Sequence, residues 1–140
     1  MKKIVSTSDA PAAVGPYSQA IRSGNLLFCA GQIPLDPKTG QLVTGDVAAQ
    51  TRRVLENIGA LLKAEHLSFH HVVKTTIFLT DMSDFQTVNE VYATYFRDNP
   101  PARSTVAVAA LPKGARVEIE VIATTADSLD SGKTVGDTSG

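Results

Sequence analysis

Two alternating runs toward the C-terminal end, residues 104–109 and 117–123, restrict this chain to folds built on a sheet. The turn Leu111-Pro112-Lys113-Gly114-Ala115 separates them. Successive side chains of a strand point to opposite faces, so each run has two unlike sides. In the first run Val106 and Val108 share one side, while Arg103, Thr105 and Ala107 share the other. In the second, Val117, Ile119 and Val121 form an apolar row opposed by Glu118, Glu120 and Ile122. The expectation is a small, half-apolar surface that carries a guanidinium and carboxylates and suits a small anion.

The rest of the chain supplies helices for one side of such a sheet. Asp46 has the chemistry of an N-cap for a helix over 47–65. Val47, Thr51, Val54, Leu55, Ile58, Leu61 and Leu62 recur there at helical spacing. Residues 72–79 are β-branched and strand-like, and 81–84 carry capping residues for a second helix over 84–97. Its stripe is Phe85, Val88, Val91 or Tyr92, Tyr95 and Phe96, and Asn99-Pro100-Pro101 stops it. Earlier in the chain, 2–6 reads as a strand. Residues 20–22 and 26–31 flank the hairpin signal Ser23-Gly24-Asn25. The turn-rich stretch 34–45 has room for another short hairpin.

The order is strands, helix, strand, helix, two strands, which predicts an α+β sandwich: one mixed sheet of about six strands with two helices on one face. The other face, with Phe78, Ile122 and the small residues around Thr105, is then left bare. A second copy of the chain is the expected cover. Residues 1–126 form the expected domain, and the polar stretch 127–140 reads as a flexible tail.

Composition removes several classes of function. Thirteen basic residues against fourteen acidic ones leave a net charge of −1, with no footprint for a polyanion. Aromatic content is 6% and tryptophan is absent, so base-stacking platforms are poorly supplied. No basic-then-apolar leader opens the sequence and no apolar run approaches a membrane span. Cys29 is the only cysteine, which excludes an internal disulfide framework. The expected setting is the cytoplasm, without nucleic-acid or membrane partners.

Few residues carry a chemical signal on their own. Arg103 reads either as a surface arginine paired with a glutamate or as a bidentate carboxylate clamp. Glu118 and Glu120 share a strand face, and either becomes a candidate acid or base if an interface walls it in. Tyr17 follows the rigid Gly15-Pro16 turn and is a packed ring or a placed hydrogen-bond donor. Gly31 ends a strand and either starts the loop or lets a ligand approach the main chain. His66, His70 and His71 lack the context of a metal site, and Cys29 reads as a buried, inert thiol. No P-loop, GxGxxG or GxSxG motif is present.

Taken together, Pro101-Ala102-Arg103-Ser104 and Ile119-Glu120 resemble the signature of the RidA (YjgF) family. Gly15-Pro16-Tyr17-Ser18-Gln19-Ala20, Ala30-Gly31-Gln32-Ile33-Pro34, Val72-Val73-Lys74-Thr75-Thr76 and Val88-Asn89-Glu90-Val91-Tyr92 match in the same order. The resemblance covers residues 2–126. It implies a chorismate-mutase-like fold, a homotrimer with sites between subunits, and cofactor-independent hydrolysis of 2-imino acids to 2-oxo acids and ammonia. It also implies roles: Arg103 on the substrate carboxylate, Glu118 beside the attacking water, and Tyr17 as the site tyrosine. Gly31 and Thr105 would supply main-chain contacts. Some relatives carry cysteine at the position of Thr105, so thiol chemistry there is absent. Lys74 and Asn89 are open as contributions from a neighbouring subunit. Two other readings stand beside this one: a non-catalytic trimer that binds small carboxylates, and an RNA-cleaving or translation-inhibiting protein.

Overall fold

The computed structural model describes residues 1–125, and the tail expected over 127–140 lies outside them. Six strands, β1 (Lys2–Val5), β2 (Ala20–Ser23), β3 (Leu26–Gln32), β4 (Val72–Leu79), β5 (Ala102–Ala107) and β6 (Val117–Thr124), form one sheet. Its order is β1-β2-β3-β6-β4-β5. All neighbours are antiparallel except β4 and β5. A parallel pair needs a crossover, and α2 (Phe85–Tyr95) provides it.

α1 (Val47–Ala64) begins where the sequence predicts. The carboxylate of Asp46 accepts the Ala49 N–H at 2.9 Å and satisfies one of the orphan donors of the first turn. Every residue of its expected stripe is buried. Each fully buried aliphatic side chain contributes about 1.5–3 kcal/mol. The stripe packs on the sheet side formed by Val117, Ile119, Val121 and Ala123 of β6 with Thr75, Ile77 and Leu79 of β4. α2 adds Val88, Val91 and Tyr92.

α1 ends unusually. His66 holds φ of +60°, a left-handed position that glycine normally fills, while the Leu67 N–H returns to Leu62 O at 2.9 Å. The short hairpin allowed for residues 34–45 is present as a single Leu35–Leu42 antiparallel bridge. β5 begins two residues before the predicted run, and α2 ends at Tyr95, ahead of the predicted 97.

The pairing register corrects one expectation. Arg103 and Thr105 of β5 lie beside Thr75 and Ile77 of β4, which face the helices. Glu118 and Glu120 lie beside Phe78 and Thr76, which face the other way. The guanidinium and the carboxylates therefore occupy opposite sides of the sheet in one chain. The small residues around Thr105 also belong to the helix side, not to the bare face. The cause is the parallel placement of β5: packing under α2 selects the Arg103–Thr105–Ala107 side and leaves Val106 outward, 42% exposed. The bare face carries Phe28, Phe78, Val106 and Ile122. Among the described residues no helix is long and apolar enough to cross a membrane.

Candidate active site

Tyr17, Gly31 and Glu118 meet in one cavity of about 480 Å³ where β3 ends and β6 begins. A register shift between Cys29 and Gln32 breaks the β3–β6 ladder at this point. The irregularity brings the main chain of Gly31 against the side chain of Glu118. A β-carbon on Gly31 would collide with Glu118 Oε2 and lie 2.9 Å from its Cδ. Glycine is needed here for the close approach of the Glu118 side chain to the main chain.

The Glu118 side chain makes no hydrogen bond or ion pair among the described residues. Burial pushes its carboxyl above the usual value, and the like charge of Glu120, two residues along the same face, pushes it further. Such a group is disposed to take up a proton. Tyr17, 54% exposed, stands on the same cavity, and its hydroxyl accepts the Val14 N–H at 3.4 Å. Lys113 also lines the cavity, from a left-handed backbone position, φ +59°. It read only as part of a turn in the sequence, and the adjacent Gly114 was its one local signal.

Buried amide side chains hold the cavity's rim. Gln19 donates from Nε2 to the carbonyls of Thr7, Ala10 and Pro11 at 3.0, 3.2 and 2.7 Å and accepts the Thr7 N–H at 2.7 Å. That clamp ties residues 7–11, of which Pro11 lines the cavity, to the residue that precedes β2. A buried polar group is tolerated when its bonds are made, and these are made.

Arg103 and Thr105 lie apart from this cavity, at the edge strand under α2. Arg103 donates from NH1 to Asn89 Oδ1 at 2.7 Å. Its guanidinium carbon sits 4.9 Å from the ring centre of Tyr92 and 5.6 Å from that of Phe85. Stacking on an aromatic face and one hydrogen bond hold the guanidinium plane and leave further donors free. No carboxylate pairs with Arg103 among the described residues. Thr105 Oγ1 is buried without a hydrogen-bond partner. Phe85, Asn89 and Tyr92 share one α2 face at i, i+4, i+7. An asparagine on an otherwise apolar stripe was the sequence signal for this support. Asn89 thus supports the arginine of its own chain. Lys74 lies on the bare face in a small recess with Phe28, Thr76 and Glu120.

Cys29 is buried, and burial pushes its thiol up to about 12, so it holds no thiolate for chemistry. Among the described residues no group of three or more His, Cys, Asp or Glu side chains could hold a metal ion.

This arrangement occurs on a recognisable chain. The family described as Endoribonuclease L-PSP matches residues 7–125. A mouse protein named 2-iminobutanoate/2-iminopropanoate deaminase is 53% identical over 123 residues, which cover 88% of this chain and 91% of the mouse protein. A crystal structure described as a putative endoribonuclease from Thermotoga maritima superposes with a TM-score of 0.88 at 54% identity, covering 91% of this chain and all of that one. The Escherichia coli protein TdcF, solved with bound serine, gives a TM-score of 0.83 at 46% identity, covering 87% and 98%.

Proposed function

This chain belongs to the Endoribonuclease L-PSP family, the RidA family of the sequence resemblance, and on that premise we propose that it hydrolyses reactive 2-imino acids to 2-oxo acids and ammonia. The observation that carries the reading is the unpaired Glu118 carboxylate lodged against Gly31 in a cavity shared with Tyr17.

A protonated imine is already electrophilic, so the task is orientation, a placed water and proton movement. Glu118 takes a proton from water as its oxygen bonds to C2 of the substrate. The C=N pair moves onto nitrogen, and the product is a carbinolamine. Return of that proton to nitrogen makes an ammonium leaving group. The hydroxyl then gives its proton to the Glu118 carboxylate as C=O forms and the C–N bond breaks, so ammonia leaves with a 2-oxo acid. General base catalysis of this kind contributes roughly 10²–10⁴-fold. Tyr17 donates a hydrogen bond near the reacting carbon or departing nitrogen. Arg103 binds the substrate carboxylate through its free donors, which is worth several kcal/mol of barrier in favourable cases, about 7–11 at the limit of ideal orientation. Gly31 and Thr105 offer main-chain contacts.

Arg103 cannot reach the Glu118 cavity of its own chain, so the complete site joins two copies, one giving Glu118, Gly31 and Tyr17 and the other Arg103 and Thr105. A homotrimer places three such junctions in one closed assembly. Its cover falls on the bare sheet face, where Phe28 and Val106 are each 42% exposed.

The test is release of ammonia and 2-oxobutanoate from the imine that a threonine dehydratase generates. Acceleration over buffer supports the reading, and a rate equal to buffer with intact protein refutes it, leaving a carboxylate-binding trimer. RNA cleavage draws support from the description of the family and of the Thermotoga maritima structure. The near-neutral charge and the small cavity favour a small-molecule substrate instead. RNA hydrolysis that survives in Glu118→Gln would separate such an activity from this site.

A further inference from the structure

One wall of the Glu118 cavity hangs from the middle of a helix. Ile33 and Leu35 form that wall, in a segment whose own bonds turn it back on itself. The Leu35 N–H reaches Ile33 O at 2.7 Å, Val43 N–H reaches Pro34 O at 2.9 Å, and Asp36 N–H reaches Gln41 O at 2.9 Å. Asn57 of α1, 0% exposed, ties this segment to the body of the protein. Its Nδ2 donates to Leu35 O at 2.9 Å and to Ile33 O at 3.5 Å. Its Oδ1 accepts Arg53 Nε at 3.1 Å, which fixes the amide's orientation.

Asparagine is a poor helix former, and a buried amide is costly unless its bonds are met. A leucine at this position would extend the helix stripe at no such cost. The other buried polar residues of α1 are used differently: Thr51 bonds back to Val47 O, and Gln50 accepts the Arg116 N–H. Asn57 is the one whose bonds end on the cavity wall.

We propose that Asn57 is a positioning residue which, oriented by Arg53, holds the Ile33–Leu35 wall at a set distance from Glu118 and so determines how large a substrate side chain the cavity accepts. The identity of the occupant rests on the function proposed above; the placement of the wall does not.

The test uses Asn57→Asp, which keeps the shape and the acceptor for Arg53 but removes the donor, with Asn57→Leu and Arg53→Ala beside it. Turnover is measured with 2-iminobutanoate and with the branched imine made from leucine by an amino-acid oxidase. In Asn57→Asp the KM ratio of branched to short imine should shift by about tenfold, with kcat for the short imine within about twofold of wild type. Arg53→Ala should shift the ratio in the same direction by less. An unchanged ratio in variants that fold overturns the proposal. Amide hydrogen exchange decides it without turnover: Leu35 and Val43 should exchange about tenfold faster in Asn57→Asp, or in Arg53→Ala if the former does not fold, while β4 and β6 keep their protection. Uniform loosening would make Asn57 merely structural. If wild type hydrolyses neither imine, the function above falls, and the exchange data still settle the role of Asn57.

Discussion

Arg103 and Glu118 stand on opposite faces of one sheet, with β4 between the strands that carry them. No side-chain rotation brings them together, because each is fixed by the pleat of a paired strand. β5 is an edge strand, however, so the guanidinium lies at the rim, where a neighbouring chain can reach it. In the proposed assembly, these two residues, which look adjacent in the sequence pattern, are the two halves of a junction.

That separation predicts complementation between dead variants. Arg103→Ala and Glu118→Gln should each abolish turnover as pure proteins while keeping the assembly. In a random equal mixture of trimers, mixed assemblies each contain one junction with both residues intact, which gives about one quarter of wild-type activity. Activity is measured after the two proteins are dissociated together and reassembled. Recovery of nothing would mean that both residues serve from the same chain.

Gly31→Ala tests the close approach directly. The glycine does not sit at positive φ, so the added methyl is not a backbone problem; it strikes the Glu118 carboxylate. The carboxylate must swing away, and a displacement of about 1 Å at a catalytic group costs on the order of 10²-fold. We expect kcat to fall by about that factor, with a melting temperature close to wild type. Steady-state assay and calorimetry on the same preparation check both parts.

The pH dependence follows from the raised Glu118 carboxyl, whose cause is burial first and Glu120 second. The base must be ionised, so kcat/KM should rise with pH along a limb centred above the ordinary glutamate value of about 4.3. Glu120→Gln removes the like charge and should move the limb toward lower pH. Stability has the opposite sign: a carboxyl raised by folding stabilises fully below its unfolded pKa, and that contribution is lost as pH rises through the folded value. Glu118→Gln should therefore be no less stable than wild type at pH 7 while inactive, a comparison made by denaturant titration.

The helices were legible because their signals are local. Asp46 caps α1 as its chemistry predicts, and the stripe from Val47 to Leu62 is buried at every expected position. β4 matches its β-branched run. The side of β5 that meets the helices was not legible, because alternation shows only that two faces differ. The choice came from α2, where Phe85, Asn89 and Tyr92 receive Arg103 and so place an arginine where a strand pattern expects valine. Tyr17, Gly31 and Glu118 were each readable singly, but their meeting depends on a register shift in β3 that no residue spacing announces. Lys113 and Asn57 were hidden too: Lys113 looked like turn chemistry, and nothing in the spacing of α1 set Asn57 apart.

His66 offers a change that should touch stability alone. A non-glycine residue at φ +60° is disfavoured, and the C-terminal turn of α1 is built to accept glycine there. His66→Gly relieves that strain but also frees the unfolded chain, so the net gain should be about 1 kcal/mol or less. The site lies at the far end of α1 from the Glu118 cavity, and kcat/KM should be unchanged. Urea unfolding of both proteins checks the sign.

Glu65 joins three elements and should make the fold acid-sensitive. It caps the C-terminal end of α1, where the helix dipole disfavours a negative charge, yet its side chain is only 6% exposed. Lys3 of β1 donates to it at 3.0 and 3.3 Å, and Arg22 of β2 at 3.4 Å. The Lys3 hydrogen bond, reinforced by Arg22, holds the carboxyl below its usual value. A lowered carboxyl stabilises the fold above its unfolded pKa, about 4.3, and that contribution disappears as pH falls through the folded value. Both cations are well exposed, so solvent screening keeps the effect modest and salt should weaken it. We expect Glu65→Gln to be less stable than wild type at pH 7 and the difference to narrow as pH falls below the ordinary glutamate value. Paired urea titrations across that range measure it, and a gap that does not change with pH would assign the stabilisation to packing and not to charge.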